Sequence, residues 1–416
     1  MKIQKLDVHF QHSDTDKTWI GTLAIQNRVL YFEYADSFLS QSHYLSPYHL
    51  SPDQPFHEFR PNGHLETWGL FDDSLPDGWG LMLMDRFFQS QGIPLRDLSI
   101  LSRLAYLGTR TMGALTYHPS THDRQEAQKT IDLWKTATEV EAVLEGKSEE
   151  ILDDLFQLGG SPGGARPKIL VGRKENHLIA GVHDLPEGFE HWLLKFHARK
   201  DNPEEGLVEQ IYAEMACAAG LEMPKTSLFY EPKRKRHYFA IQRFDRQNGQ
   251  QRIHIHSFAN LIHSNFRYPS QDYTQLMALT RNLTKKQSCV EKVFRQMVFN
   301  ILMNNRDDHD KNFSFRYDYS QAEWFYAPSY DLTFCRGLGR LGEHSMLVAG
   351  EALKPGRSHV MTLASDHHIS TRKAETIITD VKESTLLWDS LARKYDLSLK
   401  TSITIQQHIQ KNIKRF

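Results

Sequence analysis

The sequence predicts an α+β chain of two lobes, a small sheet lobe followed by a helical lobe, with a strand-rich subdomain in front. Three observations carry this. Residues 1–118 consist of short alternating apolar runs broken by turn residues, and they close on the polar stretch His118-Pro119-Ser120-Thr121-His122-Asp123. Alternation returns near Lys168–Val171, His177–Val182, Trp192–Phe196 and Tyr238–Phe244, with one helical pattern from Glu209 to Ala219 crossing between them. From residue 246 onward the helical period dominates. The chain therefore divides into 1–118, 119–245 and 246–416.

Within that frame each element has a local reason. Residues 124–158 are charged and read as helical. Lys233-Arg234-Lys235-Arg236 lies between two apolar strands and reads as a solvated hairpin tip. Arg252-Ile253-His254-Ile255-His256 alternates as a strand; its two histidines lack a nearby third ligand, so a structural or substrate-contact role fits better than a metal site. Val293, Phe294, Met297, Val298, Ile301 and Leu302 recur at helical spacing, and that helix should end near Asn304. Asn312-Phe313-Ser314-Phe315-Arg316-Tyr317 then alternates as a strand. The turn Asp318-Tyr319-Ser320-Gln321 returns it along Trp324-Phe325-Tyr326.

Composition narrows the function classes. A formal net charge of −1 gives no overall field that would draw the chain to nucleic acid. Cys217, Cys289 and Cys335 are scattered, odd in number and without metal spacing, which fits small buried thiols in a reducing cytoplasm. The start of the chain has no apolar core of signal length, and no apolar run approaches a membrane span. A cytoplasmic protein is expected.

The chemistry concentrates in Asn304-Asn305-Arg306-Asp307-Asp308-His309-Asp310-Lys311-Asn312 and in Ala327-Pro328-Ser329-Tyr330-Asp331. A hairpin joins its own ends, so Asn312 and Asp331 should meet, with Asp307 beside them. Carboxylate, amide and carboxylate suit a hard cation such as magnesium, which rides on substrate phosphates. A glycine-rich turn, Gly159-Gly160-Ser161-Pro162-Gly163-Gly164-Ala165-Arg166-Pro167-Lys168, feeds the strand Ile169-Leu170-Val171. It is neither a P-loop nor a dinucleotide fingerprint, but its glycines allow backbone N–H groups close to an anion. Lys195 points to the strand face opposite Trp192, Leu194 and Phe196, and a buried ammonium needs an anionic partner: a phosphate or a helix glutamate.

These segments, in this order, resemble the HipA family of toxin serine/threonine kinases. The resemblance runs over nearly the whole chain, from Gly21-Thr22-Leu23, Leu75-Pro76-Asp77-Gly78-Trp79-Gly80 and Met112-Gly113-Ala114-Leu115 to Arg243-Phe244-Asp245-Arg246, Asp307 through Phe315, and Tyr330-Asp331-Leu332. It implies a two-lobed protein-kinase-like fold that uses ATP and magnesium. Asp307 becomes the catalytic base, with Asp308 its solvated neighbour, although spacing alone allows the two to be exchanged; Asn312 and Asp331 become the magnesium ligands. Lys195 would neutralise the α/β-phosphates, with Pro162, Gly163, Gly164, Ala165, Arg166 and Lys168 covering the others. Gln242-Arg243-Phe244 would be the hinge that meets adenine through backbone groups. His309 would orient Asp307 or its loop, Lys311 would contact a phosphate, and Tyr330 would line the nucleotide site. Glu209 fits the family spacing before Gly220 better than Glu214 as partner of Lys195. Ser161 occupies the place of a serine whose autophosphorylation inactivates the kinase. The resemblance also implies a HipB-like DNA-binding antitoxin, contact with DNA only through it, and a protein substrate such as an aminoacyl-tRNA synthetase. Two other readings are a metal-dependent phosphoesterase or nuclease using Asp307, Asp308, His309 and Asp331, and a degenerate kinase acting as a co-repressor scaffold.

Overall fold

The computed structural model describes residues 3–13, 15–121, 130–146, 155, 162–181, 185–197, 202–247, 250–268, 270–337 and 341–416. The first sheet is antiparallel and comprises β1 (Lys5–Gln11), β2 (Lys17–Gln26), β3 (Val29–Tyr34), β4 (Phe56–Phe59) and, after a short helical turn at Gly69–Asp72 and two longer helices, β5 (Leu115–His118), in the order β4-β3-β2-β1-β5. Period-2 alternation drives it: Leu6, Val8 and Phe10 of β1 are all buried, between polar neighbours. The two helices are α1 (Gly78–Ser90) and α2 (Ile100–Leu107), followed after β5 by α3 (Leu133–Leu144).

The second sheet holds β6 (Lys168–Lys174), β7 (His177–Ala180), β8 (Glu190–Lys195), β9 (Thr226–Glu231) and β10 (Arg236–Gln242), in the order β7-β6-β8-β10-β9. Helix α4 (Glu205–Ala218) crosses one face of it. The helix begins one turn before Glu209 and stops at Gly220, whose φ of +78° lets the Leu221 amide reach back to the Ala216 carbonyl. Beyond lie β11 (His254–Ser257), α5 (Tyr273–Thr284), α6 (Gln287–Leu302), β12 (Ser314–Asp318), β13 (Glu323–Tyr326), α7 (Arg357–Asp366), α8 (Thr371–Thr385), α9 (Trp388–Lys394) and α10 (Leu399–Ile413). The expected hairpin is present as β12 and β13, with β11 added on its other edge. Helix α6 ends where Asn304 turns into the left-handed region, a conformation asparagine tolerates, and Asn412 Nδ2 takes up the Ile301 carbonyl at 2.8 Å.

Packing divides the molecule differently from sequence. The first sheet shares one continuous core with α4 and the helical lobe. Helix α1, by contrast, buries Trp79, Leu83, Met84, Phe87 and Phe88 against α3 and the Trp192 face of the second sheet. The N-terminal segment thus belongs to both lobes at once. His254 and His256 serve that junction: His256 Nδ1 lies 2.6 Å from Asp73 and its Nε2 3.1 Å from Ser46 Oγ, while His254 Nε2 meets the Leu45 carbonyl.

Two expectations need correction. The basic hairpin tip is not simply solvated, because α3 packs beside it: Arg234 and Arg236 pair with Glu141, and Lys233 sits 3.9 Å over the Trp134 ring. Cys217 is exposed rather than buried, because it lies on the outer side of α4; Cys289 is buried and Cys335 half-buried.

Asp245 is the tightest knot between the N-terminal segment and the second sheet. Its carboxylate is buried and accepts from Arg243 (2.6 and 2.9 Å), Arg246 (2.7 Å) and the Gly113 amide (2.7 Å). Asp245→Asn removes the charge that Arg243 and Arg246 share, although Arg246 keeps the Gly113 and Thr111 carbonyls, and should lower unfolding free energy by about 3 kcal/mol in chemical denaturation; a loss below about 1 kcal/mol would show the network to be dispensable.

Candidate active site

The register of the second sheet starts the site. Lys168 and Lys195 are direct cross-strand partners, so both side chains rise from the same face while Trp192 and Leu194 enter the opposite core. Lys195 Nζ lies 2.6 Å from Glu209 Oε2 on α4 and 2.5 Å from Asp331 Oδ1 of the helical lobe. Burial works against the lysine charge, but Asp331 and Glu209 outweigh it and push its pKa up. Lys195 in turn holds Asp331 below the usual carboxylate range. Burial raises Glu209, against the pull of Lys195. Glu214 plays no part; it faces Lys394 at 3.0 Å and Tyr395. Helix α4 itself is strapped down, with Tyr212 Oη donating to the Met303 carbonyl at 2.6 Å and Glu204 accepting from the Ser398 amide and hydroxyl.

Over the two lysines lies the glycine turn. Gly164 has φ +106°, and its amide donates to the Asp77 carboxylate. Lys168 donates to the Gly163 carbonyl, and burial lowers its pKa. Arg166 reaches Glu205 at 2.7 Å and Glu209 at 3.2 Å, so Glu209 carries both a strand lysine and a loop arginine. Arg166, Lys168 and Lys195 together form a basic floor suited to polyphosphate. Ser161 lies outside the described residues.

The acidic side comes from the loop after α6. Asp307 is open to the cleft, yet the protein around it and the nearby Asp331 charge push its pKa up. Asn312 donates its side-chain amide to the Asp307 carbonyl at 2.7 Å and its backbone amide to the His309 carbonyl at 2.8 Å, which shapes the turn. That leaves the Asn312 side-chain oxygen as the end able to ligate a cation. Asp308 is not a solvated neighbour. It is buried and accepts from Tyr273 Oη (2.9 Å), His344 Nδ1 (3.1 Å) and the Ser345 amide (2.9 Å), because successive loop residues point to opposite sides.

His309 packs on Phe266, and its buried Nδ1 has no hydrogen-bond partner among the described residues. Lys311 turns away toward Asp77 (3.2 Å) and Asp72 (3.7 Å). Tyr330 Oη bonds the Lys311 carbonyl (2.8 Å) and Ser314 Oγ (2.6 Å), which joins the two ends of the hairpin. Asp331 then sits at φ +56°, a left-handed conformation that aspartate accepts at modest cost. At the lobe boundary the Gln242 and Arg243 amides are committed to the Lys225 and His191 carbonyls. Beside them Phe244 stacks on Tyr330, with ring centres 5.7 Å apart.

Sequence reasoning missed three groups. Leu193 and Ile241 are cross-strand partners and, with Phe239, make an apolar wall reaching Tyr330; alternation within β8 and β10 places Leu193 and Ile241 on the faces that form it. Glu205 has no signal beyond its place one turn before Glu209. Asp77 and Asp72 come from far upstream, and only the fold brings them near. Among the described residues no three or more His, Cys, Asp or Glu form a metal cage. The oxygens of Asp331 and Asn312 still fit magnesium, which needs one or two carboxylates when phosphates complete its shell.

Residues 160–388 match the HipA-like C-terminal domain, and residues 14–118 match the HipA N-terminal domain. The chain belongs to the HipA family. Its fold is similar to that of HipA from Shewanella oneidensis MR-1, solved as part of a HipA, HipB and operator DNA complex, with TM-score 0.71, 15% identity, and coverage of 99% of this chain and 96% of that one. The Helicobacter pylori proinflammatory kinase CtkA is more distant, at TM-score 0.33 and 12% identity over 56% of this chain and 92% of its own. No curated protein matches the sequence. The fold is that of HipA, and the site lies between the second sheet and the helical lobe. No helix among the described residues is long and apolar enough to cross a membrane.

Lys195→Met should cost about 2 kcal/mol of stability, because buried Glu209 is left with Arg166 alone at 3.2 Å while solvent screens the partly open Asp331. The depressed Asp331 pKa stabilises the fold above the ordinary carboxylate range, and the raised Lys195 pKa does so below the ordinary lysine range. The gap between wild type and variant should therefore stay flat from about pH 6 to about pH 9 and close in strong acid. Denaturant titrations across that range check this; a gap centred on neutral pH would mean another group is responsible.

Proposed function

We propose that this HipA chain is an ATP- and magnesium-dependent protein serine/threonine kinase of the toxin type. One observation carries the reading: Lys195 binds Glu209 of the adjacent helix and Asp331 of the other lobe at once, in the cleft that also holds Asp307 and Asn312. Protein kinases pair a strand lysine with a helix glutamate, and their catalytic loop places an asparagine five residues after its aspartate. Asp307 and Asn312 keep that spacing.

In this reading Asp307 orients a substrate hydroxyl and accepts its proton. Lys195 and Lys168 counter the phosphate charge under the turn from Pro162 to Lys168, and Leu193, Ile241 and Tyr330 wall the base. Magnesium, when bound, neutralises charge on the nucleotide phosphates; Asn312 and Asp331 are the residues that would hold it. The raised Asp307 pKa places the acid limb of turnover above the ordinary aspartate range. The phosphoesterase reading loses two of its four residues, since Asp308 is buried among donors and His309 packs on Phe266. The intact set of Asp307, Asn312 and Asp331 speaks against a degenerate kinase.

The same proposal takes a HipB-like antitoxin as partner, with DNA reached only through it, a cytoplasmic location, and a translation protein such as an aminoacyl-tRNA synthetase as substrate. It keeps 1–118, 119–245 and 246–416 as working units. A phosphate on Ser161 would add about two negative charges beside amides shaped for nucleotide anions, so slow autophosphorylation there would act as a brake.

The test is incubation of the purified protein with magnesium–ATP and cell lysate, followed by phosphopeptide mapping. Wild type should label a host protein and Ser161. Asp307→Ala should lose transfer by at least about a thousandfold while still binding nucleotide by calorimetry. Near wild-type transfer by Asp307→Ala would remove it as the base.

A further inference from the structure

The N-terminal segment reaches the cleft through the start of α1. Asp77 precedes that helix, and its two carboxylate oxygens serve two different parts of the site. One accepts the Gly164 amide of the glycine turn, and the other lies 3.2 Å from Lys311 Nζ on the loop that carries Asp307. The contact continues through the backbone, where the Trp79 amide donates to the Gly164 carbonyl at 3.1 Å.

Glycines on both sides allow this approach. Gly78 has φ +44°, and a Cβ there would lie 2.5 Å from the Gly164 carbonyl oxygen and 2.7 Å from Ala165 Cα. A Cβ on Gly163 would face the Asp77 carboxylate at 3.2 Å. Lys311 is fixed by more than Asp77: Asp72 lies 3.7 Å away and the Phe266 ring 4.7 Å away. Asp72 is held in turn by Asn260 Nδ2 at 3.0 Å.

We infer that Asp77 is a positioning residue for phosphate binding, clamping the glycine turn to the catalytic loop from the N-terminal segment. The inference rests on the cleft being a nucleotide site. An unclamped glycine turn samples many conformations, and ordering it would draw on nucleotide binding energy. With Gly164 tied to Asp77, and Asp77 tied to Lys311, the turn is ordered in advance. The role expected for Lys311 changes accordingly: its ammonium holds the clamp rather than a phosphate. Asp77 does not touch the reacting atoms and acts through the Gly164 amide.

Three readouts on the full-length protein test this. Amide exchange in peptides spanning 163–168 should quicken at least about tenfold in Asp77→Ala, while the melting curve stays a single transition. KM for ATP should rise about tenfold with kcat changed less than about threefold, since the clamp acts on binding. Lys311→Met should produce the same KM change, and the double variant should show little more, because both remove one linkage. Asp77→Asn keeps the shape and an acceptor for Gly164 and breaks only the charge link, so it should reproduce the Lys311→Met effect even if Asp77→Ala folds poorly. Unchanged exchange and unchanged ATP affinity in a folded Asp77 variant would overturn the clamp, as would fully additive effects with Lys311→Met. Exchange is read without turnover, so a wild type that transfers no phosphate would sink the kinase reading while the exchange data still decide the clamp.

Discussion

Everything in the cleft depends on one buried ammonium. Lys195 is the point where the second sheet, helix α4 and the Asp331 turn meet, and none of the three charges is stable there alone. Removing an ion from water costs several kcal/mol, and only close opposite charge with good geometry offsets it. Lys195 with Glu209 at 2.6 Å and Asp331 at 2.5 Å meets that requirement. The surrounding elements hold the geometry: α4 is anchored by Tyr212 to the end of α6 and by Glu204 to the start of α10, and Asp331 is set by the Tyr330 hydrogen bonds.

The divided packing of the N-terminal segment extends this rigidity. Its sheet shares a core with the helical lobe, while α1 shares one with the second sheet. A segment buried in both lobes restricts their relative motion, because opening the cleft would expose apolar surface on one side or the other. Asp245 and His256 reinforce the junction with buried polar contacts that lose their partners if the interface shifts. This gives the segment a mechanical role in the cleft that its distance in sequence conceals.

Legibility in the sequence followed the range of the interactions. The β12–β13 hairpin, the end of α6 at Asn304 and the orientation of Lys195 all came from local periodicity, and the structure has them. The choice of Glu209 over Glu214 needed the family spacing, since both lie on α4. Strand limits shifted by two residues at β10 because Arg243 and Asp245 leave the ladder for a buried ion pair, a preference no period reveals. The contacts between Asp77 and Gly164, and between Asp77 and Lys311, join residues 87 and 234 positions apart. No window of sequence contains them.

Asp307 and Asp308 show how far environment, rather than residue type, sets function. They are chemically identical neighbours, and spacing alone allowed their roles to be exchanged. The fold buries Asp308 and gives it three close donors, from Tyr273, His344 and Ser345. Those bonds fix the loop, since a buried carboxylate with its donors removed would be costly to keep. Asp307, one residue earlier, faces the opposite way into the open cleft, with the Asn312 amide on its backbone rather than on its carboxylate. Its carboxylate oxygens therefore remain available to a hydroxyl. The buried aspartate supplies the rigidity that lets the exposed one be held at a defined position while staying chemically free, which is the combination a general base requires.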